Sequence, residues 1–342
     1  MDAVPPFRRD LVVVGASAGG VEALRALVSG LPDDFPAAVL ITMHIAARAH
    51  SALPRILGNA GRLPARSACH GEAIEPGTVY VAPPDRHLLT EDGCLVLSQG
   101  PTENGHRPAV NALFRSAALS GGPRVVGVVL SGVLDDGAAG LRAIVDQGGA
   151  AVVQDPADAL YSGMPENALS LVDTAYPARA ADLGEVLDKL VRMPLDPAGA
   201  GPPSDVLLLE DRIARDGVRA GALKPAERNL ATDFACPDCE GPLTEIDPAG
   251  RYRCRIGHAW SAEALLAAQE DEFRLALQRA LRALDEKAAL AGKLAAQTGR
   301  GQPRGLAERY AASAREAAGA AETLRRFLLR AVVEDDEARG RA

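Results

Sequence analysis

The chain has 342 residues, 47% of them hydrophobic and 24% charged, with a formal net charge of −8 at pH 7. That is enough apolar material for a sizeable core and excludes wholesale disorder, while the acidic balance argues against nucleic acid or an anionic membrane as a partner. Apolar runs are too short for a bilayer span or a signal segment. The odd count of five cysteines suits a reducing compartment, so a cytoplasmic protein without membrane insertion is expected.

In chain order, Met1–Asp10 form a polar leader, and Leu11–Val14 reads as a buried strand followed by a glycine turn and a helix over Val21–Ser29. Ala38–Met43 is the next strand, and Ser51–Asn59 reads as a helix. Thr78–Ala82, Cys94–Ser98, Arg124–Leu130 and Ala150–Gln154 are further strands; Ala109–Ala118, Ala138–Asp146, Pro165–Leu171 and Gly184–Arg192 are helices. Short apolar strands separated by helices predict an α/β fold, a doubly wound, mostly parallel sheet with helices on both faces. Residues 194–204, rich in proline, glycine and alanine, read as a linker. A small cysteine–histidine module follows over 205–262, and then a helical hairpin over 263–333. In the hairpin, Leu266, Phe273, Leu277, Leu281 and Leu284 fall on one face of the first helix. Thr298–Gly305 breaks the pattern, and Leu306, Tyr310, Leu324 and Phe327 carry a second stripe. The hairpin packs on itself or on a partner.

The turn Gly15-Ala16-Ser17-Ala18-Gly19-Gly20 sits between a strand and a helix. Small neighbours open Ser17 to a substrate carbonyl, and amides at the helix start offer donors to an oxyanion. The competing reading, a phosphate loop, lacks both the dinucleotide fingerprint spacing and the P-loop lysine. A nucleophilic serine needs a base and an orienting acid. His44 ends the second strand and Asp136 follows the strand ending at Leu130, so a parallel sheet brings both to the carboxyl edge that carries Ser17. Singly, His44 reads as a satisfied strand-end histidine and Asp136 as a cap for the following helix. Three such residues at three strand ends point to a serine hydrolase.

The ordered motifs extend this reading. After the Gly15–Gly20 turn and His44 come Tyr80-Val81-Ala82-Pro83-Pro84-Asp85-Arg86-His87 and His106-Arg107-Pro108-Ala109-Val110. Ser131-Gly132-Val133-Leu134-Asp135-Asp136-Gly137, Gln154-Asp155-Pro156 and Gly163-Met164-Pro165 complete the set. With these, residues 8–193 resemble the catalytic domain of the chemotaxis receptor methylesterases, the CheB-type protein-glutamate methylesterases. The resemblance implies Ser17 as nucleophile, His44 as general base and acid, and Asp136 as the residue fixing the imidazole. It implies hydrolysis of glutamate γ-methyl esters on chemoreceptor-type signalling proteins, glutamine deamidation as a second activity, and no cofactor for the chemistry. A cognate methyltransferase or other signalling proteins are further expected partners. Ala18 stands where the family usually has threonine, Ile45-Ala46 where it has Met-Pro, and Val133, Leu134 and Asp135 where it has Met, Gly and Asn. Asp135 competes with Asp136 for the orienting role, and motif register favours Asp136. Members often carry a phosphorylatable receiver domain ahead of the hydrolase. None is expected before Leu11, and regulation or docking is expected to fall to residues 205–342.

Cys236-Pro237-Asp238-Cys239 and Cys254-Arg255-Ile256-Gly257-His258 present three sulfurs and one imidazole at the spacing of a closed tetrahedral site, a zinc-ribbon-like arrangement around a structural zinc. The redox reading of C-x2-C lacks a thioredoxin-like context, and the metal-free reading leaves a very small module without a staple. Glu240–Arg253 forms a hairpin around Asp247–Gly250. Arg251, Arg253 and Arg255 make only a modest basic patch. Cys69 and Cys94, outside any motif, are expected as buried small hydrophobes. Two other readings stand beside the methylesterase: a hydrolase of another protein ester or amide, and a non-catalytic signalling adaptor using the ribbon and helices.

Overall fold

The computed structural model describes residues 7–49, 51–195, 201–216, 230–247, 250–297 and 305–339. The chain divides into two compact units, Met1–Leu265 and Leu266–Ala342.

The first unit is built on β1 (Leu11–Ala16), α1 (Gly20–Ser29), β2 (Ala38–Met43), α2 (Leu53–Ala60), β3 (Ala65–Ser67) and β4 (Val79–Val81). After a hairpin, β5 (His87–Glu91) and β6 (Cys94–Ser98), come α3 (Val110–Gly121), β7 (Val125–Val129), α4 (Ala138–Asp146), β8 (Ala150–Gln154), α5 (Gly163–Leu171), β9 (Tyr176–Ala178) and α6 (Leu183–Arg192). Seven strands form one parallel sheet in the order β3-β4-β2-β1-β7-β8-β9. Alternation along β1 shows why its residues are all apolar: Val12 and Val14 enter a core with Leu24, Leu27, Ile41, Leu57 and Leu187. Leu11 and Val13 enter the opposite one with Leu40, Tyr80, Phe114 and Leu141. A strand buried on both faces reads as a continuous apolar run. The order in which strands are added across the sheet reverses at β1, which lies between β2 and β7. The crevice at the carboxyl ends of those three strands is the topological switch point where open α/β sheets place ligands.

The predicted parallel sheet and its flanking helices are present, with ends within three residues of expectation. Cys94–Ser98 is a strand, but it pairs antiparallel with β5 outside the main sheet. Which strand it pairs with is invisible to local patterning. Cys69 is exposed and Cys94 half-buried, correcting the expectation that both are core residues. Each lies at a margin, Cys69 just past edge strand β3 and Cys94 at the start of the hairpin's second strand.

Beyond the linker, whose residues 196–200 lie outside the described set, helix α7 (Asp205–Asp216) packs on α3. A second, antiparallel sheet follows in the order β10 (Leu230–Ala235), β11 (Pro242–Asp247), β12 (Arg251–Cys254), β13 (Ala259–Ser261). The expected turn at Asp247–Gly250 joins β11 to β12; its residues 248 and 249 lie outside the described set. Helix α8 (Ala262–Gln297) starts in the first unit, and the rest of it forms the second unit with α9 (Leu306–Arg339). In this second unit Phe273 meets Phe327 edge-on at 6.2 Å and Arg325 pairs with Asp285, so the hairpin packs on itself. Leu277, Leu281 and Leu284 are half-buried, while Leu266 and Phe273 remain exposed. The pattern break at 298–304 lies outside the described residues. Among the described residues no helix is long and apolar enough to cross a membrane.

Candidate functional site

Ser17 follows β1, His44 follows β2, and the loop carrying Asp136 follows β7, so the switch-point crevice collects all of them. The Ser17 hydroxyl lies 3.0 Å from Nδ1 of His44, and His44 Nε2 lies 2.7 Å from Oδ2 of Asp136. A carboxylate only accepts, so the proton on this imidazole sits on Nε2 and Nδ1 is left to accept from Ser17. The His44 side chain is 8% exposed and that of Asp136 3%, whereas Ser17 is half-buried and reachable.

The Ser17 turn is fixed by Ser131 at the end of β7. The Ser17 amide donates to the Ser131 carbonyl at 2.9 Å, and the Ser131 hydroxyl donates to the Ala18 carbonyl at 2.8 Å. Gly19 has φ +71°, and a β-carbon there would sit 2.7 Å from the Ser131 hydroxyl, so the turn requires glycine. The amides of Ser17 and Gly20 are spent within the turn and on Ser131. Those of Ala18 and Gly19 have no partner among the described residues and stand beside Ser17 at the start of α1. Gly132 approaches from the other side. A β-carbon on it would meet Met164 Sδ at 2.1 Å and Ser17 Cβ at 2.8 Å.

Asp136 does not cap the helix that follows it, whose cap position is Gly137. It caps α3 from another loop: Oδ2 accepts the Val110 amide at 2.8 Å and Oδ1 the Asn111 amide at 3.0 Å. Burial alone would raise its pKa. The hydrogen bond and charge of His44 and the two amides outweigh that and hold it down at about 2. The carboxylate is therefore charged at neutral pH, and the two α3 amides fix its aim. Asp135, its rival in the sequence, turns away from His44 and accepts from Ser261 and Asn104. Leu134 occupies the left-handed region at φ +62°, at the position where the resembled family has glycine.

Sequence reasoning gave no role to His106, whose ring stacks on that of His44 with centroids 3.8 Å apart and planes at 12°. Burial first, and the neighbouring His44 second, push its pKa down to about 4, so it presents a neutral ring. The motif around it was visible, but a stacking contact depends on where two distant loops meet.

The ligand atoms of Cys236, Cys239, Cys254 and His258 all lie within 4.8 Å of one another. Cys236 Sγ and Cys254 Sγ stand 3.6 and 3.5 Å from His258 Nδ1, and Cys239 Sγ 3.6 Å from Cys254 Sγ. Four ligands around zinc at ordinary bond lengths would be separated by about 3.8 Å between sulfurs and about 3.6 Å between sulfur and nitrogen. This spacing fits a tetrahedral metal site of three sulfurs and one nitrogen, and the buried indole N–H of Trp260 has no hydrogen-bond partner among the described residues. Arg251 and Arg253 turn inward to Glu210 and Glu103, so they form no basic surface.

The family described as CheB methylesterase matches residues 12–187. The protein-glutamate methylesterase/protein-glutamine glutaminase 2 of Anaeromyxobacter dehalogenans (strain 2CP-C) is 43% identical over 180 residues, covering 52% of this chain and 53% of that protein. Protein-glutamate methylesterase/protein-glutamine glutaminase 4 of Geobacter metallireducens is 41% identical over 171 residues, 49% of each chain. The chain thus spans about half the length of the relatives it matches. The crystal structure of the Thermotoga maritima CheB methylesterase catalytic domain superposes with a TM-score of 0.52 at 29% identity, covering 54% of this chain and all of that one.

Proposed function

The chain belongs to the CheB methylesterase family, and from that premise we propose that it is a serine hydrolase acting on glutamate γ-methyl esters of chemoreceptor-type signalling proteins. The observation that carries the proposal is the hydrogen-bonded line from Ser17 through His44 to Asp136.

In this reading Ser17 Oγ attacks the ester carbonyl while His44 Nδ1 takes its proton, and the charged Asp136 steadies the imidazolium through Nε2–H. The developing oxyanion meets the amides of Ala18 and Gly19. Collapse breaks the bond to methoxide, which leaves as methanol with the proton from His44. Water, activated by the same imidazole, then releases the glutamate carboxylate and restores Ser17. Glutamine deamidation follows the same course with ammonia as the leaving group. Cys236, Cys239, Cys254 and His258 would hold a structural zinc, which would supply folding energy to the module and make no bond to a reacting atom.

Methanol release from a methylated receptor signalling fragment tests the assignment. Wild type is expected to release it and Ser17→Ala to lose at least about 10⁴-fold in rate. Release retained by Ser17→Ala overturns the mechanism. Wild type that labels with a serine-directed probe but releases no methanol favours another protein ester or amide.

A further inference from the structure

The cysteine–histidine module does not stand apart from the triad. The segment 101–106, which ends at the histidine stacked on His44, runs along the module residue by residue. Pro101 lies against Gly257, where a β-carbon would come within 2.9 Å of it. Thr102 donates its hydroxyl to Asp238, between the first two cysteines, at 2.5 Å. The Ala259 amide donates to the Thr102 carbonyl at 3.1 Å, and the Asn104 amide donates to the Ala259 carbonyl at 2.8 Å. A β-carbon on Gly105 would lie 3.5 Å from Trp260 Cη2.

A second route leads to the aspartate loop. Ser261, last residue of β13, donates its hydroxyl to Asp135 Oδ1 at 2.8 Å. The Asn104 side chain donates to the same oxygen at 3.3 Å and accepts the Ser261 amide at 2.9 Å. Asp135 is the neighbour of Asp136, so this clasp holds the loop from which His44 is oriented. Beneath both routes lies a buried ion cluster: Glu103 and Glu210 on one side, Arg115 of α3 and Arg253 of β12 on the other, each at most 4% exposed. Removing one member of a buried cluster leaves an uncompensated charge, so the joint is costly to break.

We propose that the cysteine–histidine module is a positioning element for the triad, with Ser261 and Asn104 clasping Asp135 while segment 101–106 presses His106 onto His44. Zinc on the module thereby sets the rate at which Ser17 is acylated. The inference rests on the triad reading above. Its physical basis is that a triad works only when donor and acceptor stay within fractions of an ångström, and small misplacements cost about ten- to a hundredfold in rate. Ser261 and Asn104 touch no reacting atom; they act through Asp135.

The test uses the full chain and a fluorophosphonate probe, in which the Ser17 Oγ–P bond forms, P–F breaks, fluoride leaves and His44 takes the hydroxyl proton. Trp260, the only tryptophan, reports on the module independently of chemistry. Removing Zn²⁺ with a chelator is expected to shift Trp260 emission to the red and slow labelling at least tenfold, and re-adding Zn²⁺ to reverse both. Ser261→Ala is expected to keep zinc content and Trp260 emission while kcat for ester hydrolysis falls with KM within about twofold, and Ser261→Thr, which retains the hydroxyl, to restore kcat. Loss of zinc that moves Trp260 but leaves labelling unchanged overturns the proposal, as does Ser261→Ala with wild-type labelling; in both cases the triad reading stands. Wild type that never labels overturns both.

Discussion

Replacing Asp136 by asparagine isolates the group on which the proposed mechanism depends. The carboxylate accepts from His44 Nε2 and from the amides of Val110 and Asn111. Asparagine offers one oxygen, and its NH2 must face either His44 or the α3 amides. Facing His44, it selects the tautomer with a proton on Nδ1, which cannot accept from Ser17. Facing the amides, it sets donor against donor. Activity in a triad whose acid becomes an amide falls about 10⁴-fold. The stability cost follows from the same contacts. A pKa of about 2 in place of the ordinary 3.8 corresponds to roughly 2 kcal/mol. Because the folded-state pKa is depressed, that contribution is present above about pH 4 and is lost as pH falls toward 2. Urea unfolding of both proteins at several pH values should therefore show a gap of about 2 kcal/mol from pH 5 to 8 that narrows in acid. A kcat within tenfold of wild type, or a pH-independent gap below about 0.5 kcal/mol, would refute the reasoning. Asp135→Asn, which still accepts from Ser261, is the control and should retain kcat within a few-fold.

Gly132→Ala should leave the fold intact and lower kcat about a hundredfold, because its new β-carbon displaces Ser17 or Met164; circular dichroism and methanol release together check this. Leu134→Gly should raise stability by about 1 kcal/mol by relieving the left-handed backbone at φ +62°, and a lower denaturation midpoint would count against it. Glu103→Gln should cost about 3–5 kcal/mol, since Arg115 and Arg253 then lose their shared carboxylate; urea unfolding reads this directly, and a loss under 1 kcal/mol would mean the cluster relaxes.

The residues of the candidate site were legible in the chain itself. A strand, a small-residue turn and a helix place Ser17, and the period of apolar strands places His44 and Asp136 at the same edge, because a parallel sheet brings all its carboxyl ends together. The cysteine spacing likewise pointed to the cluster of Cys236, Cys239, Cys254 and His258. What the chain could not announce depends on contacts between segments far apart in sequence. Cys94–Ser98 looks like any buried strand until its partner His87–Glu91 is seen. Asp136 reads locally as a cap for the helix after it, yet it caps α3, through an amide 25 residues earlier in the chain. The stacking of His106 on His44, and the fastening of Ser261 and Asn104 to Asp135, come from segments far apart in sequence that meet at the site. Periodicity reports which way a side chain faces; only the tertiary structure decides what it meets there.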